Sequence, residues 1–392
     1  MLKNKRWSVK SIQSILSKQM QSGYKIILHM KLEDIISQSI HENGKPIGFD
    51  VFMNFALYSP GLGYYRSSSN IFGHQGDFIT APETSDLFGY SVANQCAQII
   101  NGGDILEFGA GTGVLAAQVL FELDRLKSLP KKYYIMELSG QLMQQQKQTI
   151  LSALPKLFGH VEWLTELPVG FSGVVIANEV LDAIPAKRLI FSDGHFVELG
   201  VDFVDGNFQW KALDDPYSNL LTSLPAICDE GYITEVNLQA LAWIDSLYNS
   251  ISEGTVLLID YGMERNEYHH PQRKDGTLRC HYQHKASDNP FDNIGKQDIT
   301  TSVNFSDVAE NAVKVGFELS GYCTQAMFLI SLGIENFLLE EDDDDKRNAL
   351  AQQIKQLLLP SAMGETFKVL ALSKKQTVKL DGFREQNLLN KL

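Results

Sequence analysis

The chain has 392 residues, 44% hydrophobic and 21% charged, with 30 Gly and 12 Pro, proportions that exclude collagen-like, disordered and repeat architectures. Its formal net charge of −13 speaks against a sequence-independent grip on nucleic acid, because phosphate binding needs clustered cations. Cys96, Cys228, Cys280 and Cys323 form no CxxC, so neither a zinc site nor a disulfide framework is indicated and a reducing, cytoplasmic compartment is expected; no apolar run reaches the ~18 residues of a membrane helix.

Residues 1–30 carry Lys3, Lys5, Arg6, Lys10, Lys18 and Lys25, with serines and no acid. An acid-free, Ser-containing leader fits an organelle import signal, although such leaders favour Arg and this one has a single Arg. Met30 followed by Lys31-Leu32-Glu33-Asp34 reads equally as a start, with the leader a basic extension. Leu32, Ile35, Ile36 and Ile40 then fall at helical spacing until Gly44-Lys45-Pro46, and a second helix is predicted from Phe49 to Leu57. A third is predicted over Thr84–Ile100, so residues 31–100 read as a helical cap.

From residue 101 the period changes. Ile105–Phe108 is a short apolar strand, followed by a glycine turn and a helix over Val114–Leu126. Tyr133–Met136, Val161–Leu164 and Val174–Ala177 are further strands, with a helix over Gln141–Leu151. Alternating strands and helices imply parallel pairing with right-handed crossovers. Residues 185–235 switch to short alternating runs with turns at Asp193-Gly194 and Asp205-Gly206, which predicts a β-rich insertion in the core. A helix over Val236–Ile251 and a strand over Thr255–Asp260 return the chain to the sheet. The polar stretch Glu264–Ser302 has almost no apolar periodicity, and a loop of that length in a compact domain is usually functional or disordered. Helix Phe305–Val315, strand Phe317–Cys323, helix Ala326–Leu332, an acid-led helix reaching Leu359 and strand Phe367–Leu372 complete a core ending near residue 375, with 376–392 a C-terminal tail. The helix over Ala326–Leu332 could pair two copies into a homodimer, and core packing explains it equally well.

Glu107-Phe108-Gly109-Ala110-Gly111-Thr112-Gly113 sits between a strand and a helix, where glycines allow a tight turn and let a ligand approach the backbone at a helix amino end. A nicotinamide fingerprint needs a third glycine at position 114, and a Walker loop needs a lysine there. That position is Val114. S-adenosyl-L-methionine, a nucleoside without phosphates, fits best. Glu137 ends the second strand, where a carboxylate can accept both ribose hydroxyls, although a Glu in that place is also an ordinary solvated loop residue. The fourth strand runs into Asn178-Glu179-Val180-Leu181-Asp182. The carboxyl ends of a doubly wound sheet surround the ligand crevice, so Asn178 and Glu179 should face the methyl donor. Asp182 can share their side if the segment turns helically; otherwise it caps a helix before Pro185. Two carboxylates there suit a guanidinium held bidentately.

Gly76-Asp77-Phe78-Ile79-Thr80-Ala81-Pro82-Glu83, Glu107–Gly113, Asn178–Pro185, Gly276-Thr277-Leu278-Arg279 and Gln297-Asp298-Ile299-Thr300 together resemble the MidA-type methyltransferases, a family that includes a mitochondrial complex I assembly factor that dimethylates an arginine. The resemblance spans roughly residues 31–375. It implies a class I methyltransferase: an α/β protein with a Rossmann-like seven-stranded sheet, an N-terminal helical cap and a β-rich insertion. It implies S-adenosyl-L-methionine held by Gly109, Gly111 and Gly113 with Glu137 on the ribose, and Gly76 and Asp77 in the same pocket with Glu107 and Asn178. Residues 264–302 become a lid that presents Arg279, His284 and Asp298. Glu179 and Asp182 become the catalytic carboxylates, acting on a protein partner with an accessible arginine, and the mitochondrial matrix becomes the alternative location. Many relatives carry Asp before the residue matching Phe305, where this chain has Asn304. Two other readings stay open: an assembly chaperone that holds the cofactor without turnover, and a methyltransferase of another small or protein acceptor. His269, His270, His281 and His284 lack a fixed helical scaffold, so no metal is expected.

Overall fold

The computed structural model describes residues 31–67, 80–216, 224–225, 228–360 and 362–392. The basic leader, Gly76 and Asp77 lie outside the described residues. The cap begins with α1 (Leu32–Asn43) and α2 (Phe49–Tyr58), which bury Ile36, Ile40, Phe52 and Met53 at helical spacing. The third predicted helix forms close to its expected bounds, with a separate turn before it. A single turn, α3 (Ala81–Thr84), stops at Ser85, whose hydroxyl accepts from the Leu87 amide and so starts α4 (Asp86–Ile99). A serine in that place satisfies an amide donor that the first helical turn leaves unpaired.

Seven strands form the central sheet: β1 (Asp104–Phe108), β2 (Tyr133–Met136), β3 (Val161–Leu164), β4 (Phe171–Asn178) and, after the insertion, β9 (Ile251–Met263), β14 (Glu318–Thr324) and β15 (Phe367–Lys374). Their order is β14-β15-β9-β4-β1-β2-β3. Pairings are parallel from β3 to β9, and β15 runs antiparallel to both its neighbours. A two-residue strand, β13 (Val303–Asn304), adds to β9 beside this path. Both faces are covered, which is why these strands read as continuous apolar runs. On β4, Val174 and Ile176 join the layer of α4 and α5 (Val114–Arg125), while Val175 and Ala177 join the layer of α7 (Leu238–Ser250) and α9 (Phe305–Val315). Between them in sequence, α6 (Gly140–Ala153) follows β2 and a single turn, α8 (Arg265–Tyr268), follows β9.

The insertion is an antiparallel sheet of β5 (Lys187–Ser192), β6 (His195–Val204), β7 (Asn207–Pro216) and β8 (Ile233–Val236), in the order β7-β6-β5-β8. It is tied to the cap by a backbone bridge between Ile47 and Val201. Lys187 adds an ion pair with Glu198 and Asp50.

The long polar stretch departs from its reading as a loop without structure. It carries β10 (Arg279–Tyr282), β11 (Lys285–Ser287) and β12 (Asp298–Thr300) as a second small antiparallel sheet. Its few apolar residues, Leu278, Cys280, Ile294 and Ile299, are buried against the cap residues Phe49, Phe52 and Tyr64. Short strands with one buried side chain in several residues leave little periodicity to detect. The 276–277 turn is held from the insertion, where the Glu235 carboxylate accepts from the Thr277 amide and hydroxyl at 2.7 and 2.9 Å and pairs with Arg188.

Helix α10 (Gln325–Ser331) buries Ala326, Phe328 and Leu329, so its apolar face is spent on the core rather than on a second copy. α11 (Asn336–Leu339) follows, and α12 (Asp344–Leu358) begins at Asp343, which accepts from the Asp345 and Lys346 amides. The residues after 375 are not a loose tail: Leu380 and Phe383 are buried, and Asn387 accepts from the Tyr322 amide. Among the described residues no helix is long and apolar enough to cross a membrane, and no group of three or more His, Cys, Asp or Glu is placed to hold a metal ion.

Candidate active site

A cavity of about 450 Å³ opens at the carboxyl ends of β1, β2, β4 and β9, on the side where strand order reverses and doubly wound sheets hold their ligands. Such a volume is ordinary for a small-molecule site. Its floor is the glycine turn. Gly109, Gly111 and Gly113 take φ of +60°, +50° and +87°, a region that any residue with a Cβ enters at a cost. A Cβ at 109 would stand 3.3 Å from Val180, and one at 113 only 2.9 Å from the Gln146 Cα. The bare backbone and the start of α5 thus face the cavity together.

The second wall is Glu137, just past β2. Its Oε1 accepts from the Ser139 amide at 2.7 Å and its Oε2 from Gln146 Nε2 at 2.9 Å. Burial pushes its acidity down against the pull of these bonds. Gln146 also donates to the Gly111 carbonyl at 3.1 Å, and Trp163 Nε1 donates to Gln146 Oε1 at 2.9 Å. One buried glutamine therefore sets the spacing between the turn and the acid. Local sequence does not single it out, although it fills the apolar slot between Leu142 and Ile150 on α6, a position where a buried polar side chain needs a partner. Glu107 lies deeper, accepts from the Tyr133 hydroxyl at 2.7 Å, and is raised by burial to about 7. Across the turn Glu83 accepts from the Thr112 hydroxyl, and Gln118 donates to Pro82 O and Asp86, so the 80–83 segment is clamped to the glycines.

The remaining end of the cavity is built on the turn after β4. Asp182 does not cap a helix, since 181–184 is a turn. Glu179 stands at φ +53°, an unusual angle for a residue with a long side chain. A second residue missed from sequence, Asp260, holds it there. This fully buried carboxylate on β9 accepts from the amides of Val180, Leu181 and Asp182 at 3.2, 2.9 and 3.3 Å. An acid ending an otherwise apolar strand was the available signal. Burial, reinforced by Asp182, raises Glu179 to about 8, and burial raises Asp182 to about 6 against the Tyr261 hydroxyl bonded to it at 2.7 Å. Tyr58 donates to the Ala183 carbonyl and Tyr65 to Asp298, both at 2.9 Å, with their rings stacked at 5.6 Å.

Glu83, Glu107, Glu137, Glu179, Asp182 and Asp298 all line this cavity, and none of the described residues lining it is Lys or Arg. Arg66 acts on Glu137 from the cap. Among the candidates, Glu107, Gly109, Gly111, Glu137, Asn178, Glu179, Asp182 and Asp298 meet here, and Gly113 stands between the lining residues Thr112 and Val114. Arg279 and His284 do not: Arg279 is exposed and donates to its own neighbour's carbonyl, and His284 lies at the exposed β10–β11 hairpin with φ +61°. His281, paired with Asp298 across β10 and β12, lines the cavity instead, with Asp298 and Thr300. Asn304 caps α9 by accepting from the Asp307 amide, a role Asp and Asn share.

The cavity thus joins a bare glycine turn, an acid at a strand end and a buried pair of acids on the turn after β4. Residues 89–323 match the family described as S-adenosyl-L-methionine-dependent methyltransferase. The mitochondrial protein arginine methyltransferase NDUFAF7 homolog of Drosophila melanogaster is 28% identical over 368 residues, covering 83% of this chain and 81% of that protein. The Danio rerio protein of the same name is 28% identical over 366 residues, covering 83% of each. A crystal structure from Burkholderia thailandensis bound to S-adenosyl-homocysteine is 38% identical, with a TM-score of 0.88 over 92% of this chain and 96% of that one.

Proposed function

The chain belongs to the S-adenosyl-L-methionine-dependent methyltransferases, and from that membership we propose that it methylates an arginine side chain of a protein, in the service of respiratory complex I assembly. The observation that carries the acceptor is the pairing of Glu179 with Asp182 at the end of a buried cavity lined by acids and by no described Lys or Arg. A guanidinium supplies the missing charge and presents N–H groups in a fixed fork that carboxylates can receive. The naming of the fly and fish relatives as protein arginine methyltransferases supports the same reading.

The residues present fit the cofactor. Gly109–Gly113 offer bare backbone, Glu137 offers acceptors to a ribose, and Leu115, Leu142 and Val180 offer apolar walls. S-adenosyl-L-methionine, when bound, supplies a methyl group already activated on a sulfonium. The chain's own task is alignment. Glu179 and Asp182, which line the cavity together, would hold and orient the guanidinium. A guanidinium nitrogen that accepted the methyl group would have to lose a proton. Glu179 is the group placed to take it, and its pKa near neutrality suits it to do so.

Glu179→Gln is expected to bind S-adenosyl-homocysteine, which carries no sulfonium charge, with unchanged affinity by calorimetry while its turnover falls about 10²- to 10⁴-fold. An unchanged turnover would remove Glu179 from the chemistry. The acceptor class is tested by incubating the protein with labelled S-adenosyl-L-methionine in cell extract and by mass spectrometry of a deletion strain, which should lack one arginine modification. No labelled band would return the protein to a cofactor-holding chaperone.

A further inference from the structure

We infer that Tyr261 is a positioning residue that sets the polarity of the acceptor end of the cavity, so that the site holds a planar cation donating from every edge and rejects its neutral urea isostere. This rests on the arginine reading above and says what enforces it. A phenol has one proton to give. Tyr58 spends its proton on the Ala183 carbonyl, Tyr65 on Asp298 Oδ1 and Tyr261 on Asp182 Oδ2. The Asn178 amide donates to Glu179 Oε1 at 3.2 Å, and the Thr300 hydroxyl to the Arg279 carbonyl at 3.4 Å. Two buried oxygens, Asp182 Oδ1 and Asn178 Oδ1, have no hydrogen-bond partner. Apart from Glu179, which burial keeps protonated near neutral pH, the donors at this end of the cavity are thus spent within the protein, and two acceptors are left unused. Buried acceptors left in that state are costly until a donor arrives.

Tyr261 matters most because it is bonded to the carboxylate whose other oxygen is orphaned. Its ring is fixed on β9 and packs edge-on against Phe367 at 5.6 Å, so the bond fixes the Asp182 rotamer and favours the ionised form. The groups facing Asp182 are Glu179 on its own turn, Asp260 beneath it, Tyr58 and Tyr65 from the cap and Asp298 from β12. His281 lines the same cavity from β10. Without the Tyr261 hydroxyl, burial and these acids act on Asp182 with less opposition, and it gains a proton that can be donated into the cavity.

The test uses the full chain loaded with S-adenosyl-homocysteine and two matched pools of fluorescent peptides. The pools share randomised flanks and carry arginine or citrulline at the centre. Wild-type protein is expected to hold the arginine pool about 100-fold more tightly, because the citrulline oxygen would meet unpaired acceptors. Tyr261→Phe keeps the ring and is expected to shrink that preference to about 10-fold near neutral pH and to return to the ratio of wild-type protein measured beside it near pH ~9, where Glu179 is ionised in both, a recovery that a loosened fold would not give. Asp182→Asn, with its oxygen held by Tyr261 and its amide nitrogen at the orphaned position, is expected to reverse the preference toward citrulline. An undiminished preference in Tyr261→Phe, or a lasting arginine preference in Asp182→Asn, overturns the role of Tyr261 alone. Equal binding of both pools by wild-type protein also overturns it. Wild-type protein that holds neither pool overturns the arginine reading beneath it.

Discussion

At Gly113 the requirement for glycine is twofold, since the backbone is left-handed at φ +87° and a Cβ would meet the Gln146 backbone at 2.9 Å. Gly113→Ala therefore either flattens the turn or pushes α6 away, and α6 carries the glutamine that holds Glu137. A destabilisation of about 1–3 kcal/mol is expected. The more specific outcome is functional: saturating S-adenosyl-homocysteine should raise the melting temperature of the wild type and leave that of the folded variant unmoved. A normal ligand-induced shift in the variant would mean that the turn does not form the floor of the site.

Among the elements, the small sheet β10–β12 brings Asp298 and His281 to the cavity without belonging to the central sheet. Its attachment is Leu278, Cys280, Ile294 and Ile299 packed against α1 and α2, together with the Glu235 anchor on Thr277. Ile299 is fully buried, and Ile299→Ala should cost about 2–5 kcal/mol where the site cannot collapse. Because the contact joins two peripheral units, hydrogen exchange should quicken in residues 279–300 and in α2 while β1, β4 and β9 keep their protection. Uniform loss of protection would show that cap, small sheet and core open as one unit.

For the whole molecule, the acids gathered at one crevice make stability depend on pH. Burial holds Asp182 at about 6, Glu107 at about 7 and Glu179 at about 8, all above the values of the same groups in an unfolded chain. The folded state therefore keeps protons that the unfolded state has released. The stabilisation is full below the unfolded values near pH ~4 and is lost as pH rises through the folded ones. The ligand-free melting temperature should fall by several degrees, on the order of 5 °C, between about pH 5.5 and 8.5. A cation in the crevice offsets that loss, so S-adenosyl-L-methionine should flatten the decline more than S-adenosyl-homocysteine, which lacks the sulfonium charge. Equal slopes for the two ligands would rule out electrostatic complementarity with the sulfonium.

Local order determined much of this protein. The apolar runs at Ile105–Phe108, Val174–Ala177 and Thr255–Asp260, the helical spacing between them and the glycines at 109–113 identified a doubly wound sheet and its ligand turn, because period and φ preference are properties of neighbours in sequence. Glu107 could be named because it precedes the glycine turn, and Glu137, Glu179 and Asp182 because they follow strands whose ends converge. What sequence could not supply was any side chain whose partner lies far along the chain. Gln146 meets residues 111, 137 and 163, Asp260 meets 180–182, and Tyr65 meets 298. The same limit named Arg279 and His284 for the site rather than His281: residues 279 and 281 share a face of β10, and only the tertiary placement of the small sheet sets 281, opposite Asp298, at the cavity and leaves 279 exposed.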